Sequence, residues 1–142
     1  MEVIEIFKAY KIEVVRTKIA EPLATFESAT QVAEKYGYLE KYDREHVIRL
    51  DLDSQNRLVG EETVAIGTAD MVALSPREIF RGALLNGAKS IIMLHNHPSG
   101  SLQFSKEDVE FYEAIKEAGK IIQIKVLDFL IIGEDGGHRS MV

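Results

Sequence analysis

The chain has 142 residues, a formal charge of -6, 46% hydrophobic residues and no cysteine, so it is long enough to bury one core and excludes disulfides and thiolate metal sites. An excess of acids, 23 against 17 bases, argues against a protein whose main task is gripping phosphate backbones, so nucleic acid is not the expected partner. No apolar run reaches the ~18 residues of a membrane span, and Met1-Glu2-Val3-Ile4-Glu5-Ile6-Phe7 places acids inside its apolar stretch without a cleavage site, so a cytoplasmic protein is expected.

In chain order, Val3 to Phe7 and Lys11 to Arg16 alternate like strands, and residues 1–19 read as a strand extension packed on a domain of residues 20–142. Ser28-Ala29-Thr30-Gln31 resembles a capping box and opens a helix ending near Gly37. Strands follow over Glu45 to Asp51 and Arg57 to Ile66, joined as a hairpin at the polar turn Asp53-Ser54-Gln55-Asn56. Ser75, Pro76, Glu78 and Gly87 then bracket a helix from Arg77 to Asn86. Its exposed pair Arg77 and Arg81, like Lys116 and Lys120 further on, reads as a solvated helix face. Ser90-Ile91-Ile92-Met93-Leu94 is a short apolar run of the kind that forms a buried strand. Ser105-Lys106-Glu107-Asp108 caps the next helix, whose apolar side includes Val109, Tyr112 and Ile115 and which Gly119 closes. A strand over Ile121 to Ile124 is expected next, and Phe129 to Ile132 pairs with His138 to Val142 across Asp135-Gly136-Gly137. Composition and alternation by themselves give an α/β domain without repeats.

The chemistry gathers between Leu94 and Asp108. His95 and His97 are one residue apart at a strand end, so both project to one side, while Asn96 points the other way. Pro98 and Gly100 turn the chain out of the sheet, and it returns at Ser105 with Asp108 in the first helical turn. Two imidazoles, a carboxylate and one open position for water make the ligand set of a hydrolytic zinc site. Taken singly, Ser-x-x-Asp is most often plain capping and His-x-His two surface histidines. Together they form a combination that neither structural role has reason to produce.

His95, His97, Ser105 and Asp108 match the JAMM zinc-metalloprotease pattern of His-x-His, seven residues, Ser-x-x-Asp, without a gap. The wider string His-Asn-His-Pro-Ser-Gly resembles the RadC branch of that superfamily. So do Leu50-Asp51-Leu52-Asp53-Ser54-Gln55-Asn56-Arg57-Leu58, Ile66-Gly67-Thr68, Ser75-Pro76-Arg77-Glu78-Ile79-Phe80 and Leu127-Asp128 to Ile132-Gly133, from about Ala20 onward. The resemblance implies a mixed sheet flanked by helices in three layers, the JAMM and cytidine-deaminase-like arrangement. It also implies Zn2+ held by His95, His97 and Asp108, and an upstream glutamate as general base. Glu45, before an alternating strand, is the first choice for that base; Glu61 and Glu62 on the following strand are rivals, of which only one could face the metal. Ser105 would donate to the oxyanion. His46 and His138 read as ordinary neighbours.

The activity implied is a zinc-dependent metallopeptidase, acting on a peptide or isopeptide-linked protein substrate. A non-catalytic metal-stabilised binding module and a DNA-repair-associated nucleic-acid-processing protein are the alternatives. Three departures from the family pattern stand out: Ser101 and Phe104 replace an acid and a proline in the loop, and Phe129 stands where relatives commonly carry histidine. A helix-hairpin-helix region of the sort larger relatives use for DNA is not expected in this length. Thr68 to Leu74 and Ser99 to Phe104 are the expected specificity loops. The sequence does not define an oligomeric state.

Overall fold

The computed structural model describes residues 8–15, 17–18, 24–67 and 74–142. Three helices begin where serine side chains take up a free amide of the first turn. In α1 (Ala29–Lys35) the Ser28 hydroxyl accepts from the Gln31 N–H, while Gln31 turns to accept from Glu27 rather than completing a box. A 3-10 turn, Gly37–Lys41, continues it. Ser75 caps α2 (Pro76–Leu85), with Pro76 in the first turn, where no amide is required. Ser105 and Asp108 exchange both bonds of a full capping box at the head of α3 (Lys106–Ile122).

Five strands form one sheet: β1 (His46–Leu52), β2 (Leu58–Ile66), β3 (Ser90–Asn96), β4 (Lys125–Ile132) and β5 (His138–Ser140), ordered β2-β1-β3-β4-β5. The β1/β2 hairpin and the β1/β3 pair are antiparallel, β3/β4 is parallel across the α3 crossover, and β4/β5 is antiparallel. β3 is central and buried along its whole length, which explains its unbroken apolar run.

Alternation divides the core into two faces. Val47, Ile91, Met93 and Phe129 pack with Ile79, Phe80 and Ala83 of α2 and Phe111, Tyr112 and Ile115 of α3. Ile48, Leu50, Ile92, Leu94 and Leu130 pack on the other side with Val32, Ala33 and Tyr36 and with Leu39 of the 3-10 turn. The result is the mixed α/β sheet between helical layers expected for a JAMM-like domain. One polar contact pins α2 to the first face. The buried Arg49 donates to Asp51 at 2.6 and 2.9 Å, to Glu62 at 2.6 Å and to the Ile79 carbonyl at 2.9 Å. Asn86 donates to Asp51 at 2.6 Å.

Three expectations are corrected. The strand over Ile121 to Ile124 does not form, because α3 continues through Ile122, ends at Gln123 in the left-handed conformation (φ 62°), and β4 starts at Lys125. Gly119 does not terminate the helix; a Cβ there would strike the Ile124 carbonyl oxygen, so its role is to admit the returning chain. At the other end, residues 11–15, expected within a strand, form none and their side chains are exposed. Val3 to Phe7 and most of the loop from Thr68 to Leu74 lie outside the described residues.

Candidate metal centre

At the C-terminal end of β3, four side chains from separate parts of the chain converge. β3 supplies His95, the turn after it His97, the first turn of α3 Asp108, and the residue before β1 Glu45. One ligand atom from each lies within 4.8 Å of all the others. The sheet register accounts for Glu45. Val47 pairs with His95, so two residues further along each antiparallel chain Glu45 comes opposite His97 on the same face.

The imidazoles are fixed by backbone carbonyls. His95 Nδ1 bonds to the Leu130 carbonyl at 3.1 Å, and His97 Nδ1 to the Ser101 carbonyl at 3.0 Å. A carbonyl can only accept, so each Nδ1 carries the hydrogen and each neutral Nε2 presents a lone pair. Those two Nε2 atoms stand 2.9 Å apart, and each is 3.4 Å from Asp108 Oδ2. Facing lone pairs repel unless a cation or a proton lies between them. Zn–N bonds of ~2.0–2.1 Å set tetrahedral ligand atoms about 3.3 Å apart, close to these separations. The donor set therefore fits a divalent metal ion. Phe129 stacks on the fully buried His95 ring at 4.4 Å between centroids, which keeps its inner side dry.

Burial works against the Asp108 carboxylate, but the two histidines beside it and the bond from the Ser105 amide outweigh it and hold its pKa well below the usual range. Asp108 in turn raises His97 against the effect of burial. Glu45 moves the other way. Burial raises its carboxyl, Asp108 adds to the rise, and the histidines oppose it. Ser105 caps α3 with its oxygen, accepting from Asp108 N–H at 3.0 Å, which leaves the hydroxyl hydrogen available to donate.

The rival acids sit elsewhere. Glu62 bonds Arg49, and Glu61, its neighbour on β2, lies by Tyr36 beneath the opposite face. His46 stacks on Tyr42 at 4.0 Å and His138 bonds the Gly136 carbonyl; neither joins the cluster. Asp128 binds Ser140 and the amide of Val142, tying the C-terminal segment to β4. Sequence spacing missed the carbonyls of Leu130 and Ser101, since backbone acceptors leave no residue signature. It also missed a role for Asn96, whose position between the histidines was the available signal.

A three-layered α/β sheet carrying this cluster defines a metal-dependent domain of the JAB type. Within that class the chain belongs to the RadC-like JAB domain family, whose sequence model matches residues 25–142. It is similar to a UPF0758 protein of Desulforudis audaxviator, 41% identical over 109 residues, covering 77% of this chain and 46% of the relative. A UPF0758 protein of Methanosarcina acetivorans is 38% identical over 130 residues, covering 92% and 54% of the two chains. A third, from Staphylococcus haemolyticus, is 44% identical over 99 residues, covering 70% and 43%. The chain thus spans about half the length of these relatives. Among the described residues, no helix is long and apolar enough to cross a membrane.

Proposed function

We propose that this domain is a zinc-dependent hydrolase that cleaves a peptide or isopeptide bond. The observation that supports it most is the convergence of two carbonyl-locked Nε2 atoms and Asp108 beside a partly exposed Glu45. His95, His97 and Asp108 are the ligands in this proposal. The chemistry supplied by a zinc ion so held is Lewis acidity, which makes water nucleophilic near neutral pH and polarises a carbonyl.

The side chains supply the rest. Glu45 accepts the proton of the attacking water at its carboxylate and hands it to the leaving amine; a carboxyl raised by burial is a better base for that exchange than an ordinary one. The Ser105 hydroxyl donates to the oxygen on which negative charge develops, an interaction worth roughly 3 kcal/mol where such donors have been removed. Asp108, held ionised, offsets the positive charge of the site and supplies its one anionic ligand.

Metal analysis of wild type beside His97→Ala and Glu45→Gln, with hydrolysis of a fluorogenic isopeptide reporter, tests this. His97→Ala should lose zinc, while Glu45→Gln keeps it and loses at least about a hundredfold in rate. Full zinc content in His97→Ala would end the ligand assignment. Loss of zinc in Glu45→Gln would make Glu45 a fourth ligand and the site a structural one.

A further inference from the structure

Asn96 separates the two histidines in the chain, and its side chain leaves β3 on the face opposite theirs, where it is 1% exposed. Its carboxamide meets the backbone just before β1. Oδ1 accepts from the His46 N–H at 2.6 Å, and Nδ2 donates to the Arg44 carbonyl at 3.0 Å. Those two groups stand immediately on either side of Glu45. The paired register of β1 and β3 ends at Val47 and His95, one step short of them. Beyond that step the side-chain amide acts as a substitute peptide group, with one donor and one acceptor, and carries the pairing past the end of the strand. From the β2 side, the Gly67 N–H donates to the Glu45 carbonyl at 2.9 Å.

We infer that Asn96 is a positioning residue for Glu45: its carboxamide ties the backbone on both sides of Glu45 to the ligand-bearing strand and so holds the Glu45 carboxylate against the His95–His97 pair. The task requires an amide. Alanine takes this acceptor from the His46 N–H and leaves the Arg44 carbonyl only the bond to His46 Nδ1 at 2.9 Å, and aspartate keeps the acceptor end while losing the donor. What Glu45 does once held rests on the hydrolase proposed above, whereas the tie itself belongs to the metal-free chain.

The experiment compares wild type, Asn96→Ala, Asn96→Asp, Glu45→Gln and the double variant Asn96→Ala/Glu45→Gln. In metal-free protein, Asn96→Ala should speed exchange of the His46 amide by about tenfold or more, with core amides such as that of Leu94 still protected. The nuclear Overhauser contact between the Glu45 side chain and the His97 ring should disappear. Asn96→Asp, which keeps the shape, should preserve His46 protection and weaken that contact. With Co2+ as the probe, Asn96→Ala should still bind one ion but shift its visible spectrum toward that of Glu45→Gln, and the double variant should match Glu45→Gln. A retained Glu45–His97 contact in Asn96→Ala and in Asn96→Asp overturns the inference, as does a double variant that departs further from wild type than Glu45→Gln. If wild type takes up no Co2+, the proposed function fails instead, and the metal-free measurements decide the role of Asn96.

Discussion

Glu45 and Asp108 share a pocket yet respond to pH with opposite sign. Glu45 is raised in the folded chain, so it holds its proton more tightly folded than unfolded, and its ionisation weakens the fold as pH rises from the unfolded value through the folded one. In metal-free protein Glu45→Gln should therefore raise the melting midpoint at pH 7 and leave it unchanged at pH 3, as thermal unfolding in chelator at the two pH values would show. Asp108 is lowered on folding, so its contribution is present above the unfolded value and disappears as pH falls through the folded one. Phe129 is fully buried against His95, Phe111 and Tyr112, and Phe129→Ala should cost about 3–5 kcal/mol in urea unfolding. At this scale the sequence showed the cluster because two-residue spacing at a strand end and an acid in a capped first turn are local facts. The partners of its members were not legible: Leu130 lies 35 residues from His95 and offers only a carbonyl, and Asn96 reaches back 50 residues to His46.

Helix starts were readable for the same local reason. Ser28, Ser75 and Ser105 each accept a bond from an amide in the first turn of the helix they open. The end of α3 was not. Glycine ordinarily signals a stop, yet Gly119 lies inside the helix because the chain returning at Ile124 needs the space a side chain would fill. Gly119→Ala, a substitution that improves intrinsic helix propensity by about 1 kcal/mol, should accordingly destabilise the protein by about 1–3 kcal/mol in denaturant titration. The apolar run behind the expected strand belongs to the last turn of α3 and its exit, where Ile121 is 84% exposed. Alternation at Ile12 and Val14 misled in a similar way, since a period-two pattern describes a strand only when an edge receives it.

For the molecule as a whole, Arg49 links both long antiparallel strands to α2 from a buried position. Arg49→Ala leaves the Asp51 carboxylate buried without its main partner and should destabilise by about 3–5 kcal/mol, the largest loss expected from any polar substitution away from the cluster. Calorimetry of this variant checks it. Binding of a divalent ion acts on the whole fold too: at a thousand times its dissociation constant it adds about 4 kcal/mol, or roughly 10–15 °C for a chain of this size, which a chelator should remove. The anchoring of both imidazoles to main-chain oxygens, rather than to one another through an ion, has a kinetic consequence. The rings keep their orientation whether or not they are loaded, so capture should run in a single phase proportional to ion concentration, and one ion should exchange for another without the chain first coming apart.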